Sequence, residues 1–268
     1  MIETAYAKIN LALHVRGKRT DGYHELETLF AFVDDGDRLS VASAAQDELR
    51  TIGEFAAGLG DPFGNIVAKA LVALTRTSGW AVTLDKRLPV AAGLGGGSAD
   101  AGAIFRMVEA AQGLPADWLA RAAKLGADVP ACVRSATCIG RGTGTELEPI
   151  DNDLAGMAVL LVNPRVPLAT GPVFKGWDGV DRGSLPQGSV RTMTLAGRND
   201  LEASAIAQCP PIADVLAALA ETKPLVARMS GSGATCFALY ECHDVMRAAA
   251  EQLGLVHPGW WQMTGSLR

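Results

Sequence analysis

The sequence predicts an α+β fold in two lobes, and three observations lead there. Runs of short strand-like segments are mixed with pairs of amphipathic helices. The 268-residue length exceeds what one minimal core needs and suits one large domain or two modest ones. An acidic, polar stretch at 148–153 interrupts the apolar pattern and divides the chain into a domain at 1–152 and another at 153–268.

The elements follow in order. At 5–15, Ile9, Leu11, Leu13 and Val15 alternate with Asn10, Ala12 and His14, which gives a strand with one apolar face. Residues 16–22 are rich in charge and glycine and read as a turn. Strands are expected at 23–33 and 38–41, split by a turn at Asp34, Asp35, Gly36 and Asp37. The stretch 42–61 reads as loop or as a short strand. A helix is expected over 65–78, where Ile66, Ala70, Leu71 and Leu74 share one stripe. A strand at 80–85 leads into a glycine-rich loop. A helix over 99–112 follows, buried through Ala101, Ile104, Phe105, Val108 and Ala111, and then a second at 115–125. The segment 130–140 reads as β. Past the boundary, 157–162 is an apolar strand and 176–188 is glycine-rich loop. Helices are expected at 200–207, 211–221 and 244–253, and strands at 226–229 and 235–240 flank a second glycine loop.

Composition narrows the function classes. Apolar residues make up 49% and charged residues 20%, the balance of an ordinary globular protein. A formal charge of −5 argues against a nucleic-acid partner, which needs clustered Lys and Arg. Arg16, Lys18 and Arg19 remain a local basic spot able to meet a small polyanion. Five cysteines without a CxxC pair, most with apolar neighbours, read as buried thiols in a reducing compartment. No signal segment or apolar run of membrane-spanning length is evident, so the expected place is the cytoplasm, with no membrane partner.

The most informative residues run from Pro89 through Ala91, Ala92, Gly93, Leu94, Gly95, Gly96, Gly97, Ser98 and Ala99 to Asp100. Glycines let a backbone approach a ligand closely, so several amides can converge on one anion. A helix starting with Ser98 as its N-cap would add free N–H groups and about half a positive charge. Together these features make a cradle for a triphosphate. The bland alternative is a flexible connector, but connectors seldom press four glycines and a cap against a long amphipathic helix. Neither other common phosphate loop fits. No G-x-x-x-x-G-K-[ST] string exists, and G-x-G-x-x-[GA] fails from Gly93 and from Gly95.

This loop resembles the ATP loop of the galactokinase, homoserine kinase, mevalonate kinase and phosphomevalonate kinase superfamily. Ala5-Tyr6-Ala7-Lys8-Ile9-Asn10-Leu11 and Met229-Ser230-Gly231-Ser232-Gly233-Ala234-Thr235 resemble two further motifs of that superfamily. Asp21-Gly22-Tyr23-His24-Glu25-Leu26, Leu125-Gly126-Ala127-Asp128-Val129-Pro130 and Asn199-Asp200-Leu201-Glu202 resemble one branch, the 4-diphosphocytidyl-2-C-methyl-D-erythritol kinases. The likeness runs over about residues 5–240; 42–64 and 176–195 match nothing in it.

The resemblance implies a two-lobed small-molecule kinase fold with the active site in the cleft between lobes. It implies ATP-dependent phosphorylation of the 2-hydroxyl of a cytidine diphosphate alcohol, with Mg²⁺ carried by ATP. It also implies Asp128 as the base and Lys8 as its partner. On residue type alone, Asp128 could be an ordinary turn residue and Lys8 an exposed strand residue.

Tyr23 and Phe174 are implied as the two faces of a cytosine sandwich, with His24 on the base edge; aromatic stacking on a base contributes about 1–3 kcal/mol. Core packing is the plain alternative for both rings. Asn10, Thr170, Gly231, Ser232 and Gly233 are expected near the acceptor or its phosphates, and Asn65 and Lys86 near the adenine. Ser98 is the best-placed hydroxyl for Mg²⁺, and no metal-ligating residue set is evident. His14, His243 and His257 lack metal spacing and read as packing or solubility residues. The alternatives are another kinase of the superfamily, acting on homoserine or mevalonate, and a non-catalytic nucleotide-binding regulator. A monomer or homodimer is expected.

Overall fold

The computed structural model describes residues 1–60 and 64–268. The end of the 42–61 stretch, Asp61, lies outside the described residues. The chain forms two compact units: one holds Met1–Lys8, Asp35–Val90 and Gly95–Ser135, the other Ile9–Asp34, Ala91–Leu94 and Ala136–Arg268. No single cut separates them, because the long strands β1 (Ile2–Lys18) and β2 (His24–Ala44) contribute residues to both.

In the first unit, β4 (Gly79–Asp85) pairs antiparallel with residues 38–44 of β2 and parallel with β3 (Glu48–Ile52). The helices are α1 (Ile66–Ala73), α2 (Gly96–Gln112), α3 (Trp118–Leu125) and α4 (Val129–Arg134). Helices α2 and α4 meet at backbone distance: a Cβ on Gly102 would stand 2.5 Å from the Cys132 carbonyl oxygen.

Three sequence expectations change in this unit. The turn expected at 34–37 is absent, and β2 runs through it. Asp35 pairs with Arg87, and the fully buried Asp37 accepts from the Arg87 and Leu88 amides and from Lys86. A Cβ on Gly36 would lie 1.9 Å from the Ala5 carbonyl oxygen, so this residue is pressed against β1. Residues expected as β at 130–140 begin instead with α4, whose first turn accommodates Pro130 because its missing N–H has no helical partner there. The expected helix 65–78 stops at Ala73, and the Arg76 guanidinium takes the terminal carbonyls of Leu71 and Leu74.

In the second unit, residues 26–30 of β2 pair with β5 (Cys138–Gly142), which pairs with β6 (Glu146–Pro149). A separate antiparallel sheet has the order β10 (Trp261–Ser266), β7 (Ala158–Asn163), β9 (Cys236–Tyr240), β8 (Val226–Met229). Every residue of β7 is buried, as suits a central strand. The helices are α5 (Thr170–Lys175), α6 (Val190–Ala196), α7 (Glu202–Gln208), α8 (Pro211–Glu221) and α9 (His243–Val256). Leu160, Val162, Ile212, Val215, Leu219 and Leu253 belong to one core there. The sequence reading missed α5, α6, β6 and β10. Among the described residues no helix is long and apolar enough to cross a membrane.

Candidate active site

Lys8 sits near the point where β1 leaves the first unit, on a strand whose following residues are buried. Asp128 is the N-cap residue of α4, just past Gly126. Their side chains meet, with Lys8 Nζ 3.3 Å from Asp128 Oδ2. The lysine side chain is 4% exposed and the aspartate 32%, so the ammonium is held from below while the carboxylate stays reachable. The pair that the resemblance implied is therefore formed.

The backbone of the glycine turn lies directly against this pair. Gly95 has φ +60°, and a Cβ there would stand 3.0 Å from Lys8 Cε and 3.6 Å from Asp128 Oδ2. Only glycine takes that backbone and that proximity together. Gly95, not Ser98, is the N-cap of α2, with no side chain capping the helix. Its left-handed conformation starts the helix early, and Ala99 N donates to the Gly95 carbonyl at 2.7 Å. The amides of Gly96, Gly97 and Ser98 thus form the first turn, where helix geometry supplies no acceptor. Amides at the positive end of a 17-residue helix have the chemistry to take an anion.

Lys86, expected near the adenine, is buried in the first unit. Its ammonium is buried between Asp37 Oδ2, at 2.5 Å, and Asp100 Oδ2, at 2.7 Å. It stands behind the turn, 3.1 Å from where a Gly96 Cβ would be. Burial pushes the Asp100 carboxyl well above the usual carboxylate range, with Lys86 opposing the shift. Asn65 caps α1, its side-chain oxygen accepting from Val67 N at 2.9 Å, and Ile66 then packs 3.4 Å from the Gly97 Cβ position.

In the second unit, Ala91–Leu94 is laced to the loop at 230–233. Thr235 N donates to the Ala92 carbonyl, and Ser230 Oγ donates to the Gly93 carbonyl at 2.8 Å. A Cβ on Gly93 would stand 2.2 Å from the Ser230 carbonyl oxygen, so no larger residue fits. Asn10 is buried below; its amide nitrogen donates to Ser230 Oγ and its Nδ2 to Thr28 Oγ1 at 2.7 Å. Asn199 Nδ2 donates to the Met229 and Gly231 carbonyls, both at 2.8 Å. Thr170 and Ser232 share a hydroxyl hydrogen bond at 3.0 Å. The loop carrying Gly231, Ser232 and Gly233 is thus fixed from several sides. Asn199 was legible only as a motif residue, and Thr28 carried no signal.

The same unit holds an aromatic group. Tyr23 is 66% exposed, and its amide donates to Asp21 Oδ1. The ring found against Phe174 is that of His24, with centroids 5.2 Å apart. Trp177, three residues on, meets His24 edge-on at 5.7 Å and was not singled out from the sequence. Burial, and then the Lys18 charge, push the His24 pKa down. A neutral imidazole offers one donor and one acceptor, the equipment for reading a base edge. Among the described residues, no three His, Cys, Asp or Glu are grouped to hold an ion.

The chain is similar to known proteins along nearly its whole length. The family model described as GHMP kinases N terminal domain matches residues 65–136, and that described as GHMP kinases C terminal matches 190–258. A 4-diphosphocytidyl-2-C-methyl-D-erythritol kinase of Novosphingobium aromaticivorans is 68% identical over 99% of this chain and 92% of its own. The enzyme of that name from Erythrobacter litoralis is 63% identical over 99% of both chains. A crystal structure of a 4-(cytidine 5'-diphospho)-2C-methyl-D-erythritol kinase superposes with a TM-score of 0.85. It is 31% identical and covers 100% of this chain and 99% of its own.

Proposed function

The chain belongs to the 4-diphosphocytidyl-2-C-methyl-D-erythritol kinases of the GHMP kinase family, and from that membership we propose how its residues carry the transfer. ATP gives its terminal phosphoryl group to the 2-hydroxyl of 4-diphosphocytidyl-2-C-methyl-D-erythritol. Asp128 takes the hydroxyl proton as the acceptor oxygen bonds to the γ-phosphorus; the bond to the β,γ-bridging oxygen breaks, and ADP leaves with that electron pair. Lys8 holds the carboxylate in direction and adds positive charge beside the transferring group. The amides of Gly96, Gly97 and Ser98 take phosphate oxygens. In a loose transition state, such positioning and neutralisation are most of what an enzyme supplies.

The observation that carries this reading is the 3.3 Å pair with the Gly95 backbone against it. A proton acceptor has to be reachable and held in direction, and a carboxylate one-third exposed beside an ammonium meets both needs. Mg²⁺ comes with ATP, held chiefly by phosphate oxygens and water. Tyr23, His24 and Phe174 receive the cytosine, with Asn10, Thr170 and the 231–233 loop on the remainder of the acceptor. The proposed boundary at 152/153 divides the two matched family spans in sequence, while the two compact units share the long strands before it. We place the reaction in the cytoplasm, which suits five unbridged thiols.

The deciding experiment is Asp128→Asn. Turnover falls by roughly 10²–10⁴-fold while ATP binding by calorimetry is kept. Near-normal turnover would remove Asp128 as the base. Phosphorylation of homoserine or mevalonate in preference to the cytidine diphosphate alcohol would overturn the acceptor.

A further inference from the structure

Arg106 lies on α2, ten residues past Gly96, and neither the sequence motifs nor the proposed chemistry uses it. Its guanidinium reaches two other elements at once. Nε donates to Glu3 Oε1 at 2.8 Å and Nη2 to the Thr4 carbonyl at 2.7 Å, both at the start of β1. Nη1 donates to the Cys132 carbonyl at 2.6 Å, to Ser135 Oγ at 2.9 Å and, at 3.4 Å, to the Val133 carbonyl. The ring of Tyr6 lies 5.3 Å from the guanidinium carbon.

These contacts fall on the segments that carry the reacting pair. Tyr6 is two residues before Lys8, and in a strand alternate residues share a face. Cys132 and Val133 close the α4 helix that Asp128 opens. Six helical residues span about 9 Å, so fixing one end of so short a rod fixes the other. The third element, α2, begins with the turn whose backbone lies on the pair, and through Gly102 it already touches α4 at backbone distance. One planar fork therefore ties strand, helix and turn together.

We infer that Arg106 is a positioning residue for phosphoryl transfer, holding Lys8 and Asp128 in register with the phosphate turn. The inference rests on the proposed role of that pair. Lysine cannot replace it fully, because a point charge lacks the fixed set of donors.

The test is steady-state kinetics on Arg106→Met and Arg106→Lys, normalised to folded protein by circular dichroism. Misplacement by 1 Å can cost about 100-fold in rate, and the expected loss in kcat is tenfold or more. Both KM values stay within about twofold, a split that general loosening of the fold would not give. Should Arg106→Met fail to fold, Arg106→Lys and Ser135→Ala carry the test. The expected order of kcat is then wild type, Ser135→Ala, Arg106→Lys. Unchanged kcat per folded molecule in Arg106→Lys overturns the inference. Asp128→Asn run in parallel separates the two claims: an inactive Asp128→Asn beside a fully active Arg106→Lys removes only the positioning role, whereas an active Asp128→Asn removes the pair's role itself.

Discussion

Lys8 and Lys86 both meet aspartates within the first unit, the one at 3.3 Å from Asp128, the other at 2.5 and 2.7 Å from Asp37 and Asp100. The shorter contacts are the sealed ones: the Lys86, Asp37 and Asp100 side chains are 2% exposed or less, against 32% for Asp128. Asp37 is saturated by two backbone amides and the ammonium, and it fastens the segment that enters the glycine turn. Asp128 keeps an open side. A tight buried ion cluster shapes a site, and a looser pair with one accessible partner can exchange a proton in it. Contact strength alone would rank the two clusters in the wrong order.

Several measurements can break that contrast, the largest first. Lys86→Met leaves two carboxylates buried around one missing cation, and losing one partner of a buried pair costs about 3–5 kcal/mol. Urea unfolding should show that loss; an unaltered midpoint would mean that the cluster is not structural.

Tyr23→Ala tests whether the second unit reads the acceptor. Stacking worth about 1–3 kcal/mol predicts a rise in acceptor KM of about tenfold for each 1.4 kcal/mol lost, with ATP KM nearly unchanged. Equal effects on both substrates would count against a base at this position.

His14 sharpens the comparison, being a buried titratable group away from any reacting atom. Nδ1 donates to the Gly183 carbonyl and Nε2 accepts from Arg198 N, so the ring is neutral. Burial, then Arg198, lower its pKa from the ordinary 6.5. Stability from a histidine with a lowered pKa is present above the ordinary value and is lost as pH falls through the depressed one. Melting temperature should therefore drop between about pH 7.5 and pH 5.5, and His14→Gln should narrow that drop. An equal drop in both proteins would dismiss His14 as a contributor.

Asp100→Asn is the smallest change. Burial disfavours the ionised carboxyl, with Lys86 opposing, so its raised pKa gives stability toward acid that is lost as pH rises through the raised value. A neutral amide should leave the melting temperature near neutral pH unchanged or slightly raised. A marked fall would show that Lys86 depends on both carboxylates being charged.

The glycine turn, the Lys8 and Asp128 motifs and the aromatic Tyr23-His24 pair were legible because each is a short run whose residue types suit one chemistry. Elements were harder where a local signal had a distant partner. Asp34-Asp35-Gly36-Asp37 reads as a turn because charged residues and glycine usually seek water, yet Arg87, Lys86 and two amides draw Asp35 and Asp37 into the protein. Residues 130–134 read as the start of a β segment over 130–140, whereas in the fold they belong to α4, packed at backbone distance against Gly102. Trp177 carried no motif; its contact with His24 depends on where α5 ends.

The sequence by itself determined the α+β class, the glycine turn and, through a family resemblance, Lys8 and Asp128 as the proposed reacting pair, since periodicity and short motifs are properties of neighbours along the chain. Tertiary structure decided which lysine is sealed between two carboxylates and which meets a reachable one, where α2 begins, and what Arg106 holds. Burial and the pairing of charges arise between segments far apart in sequence, and no local pattern encodes them.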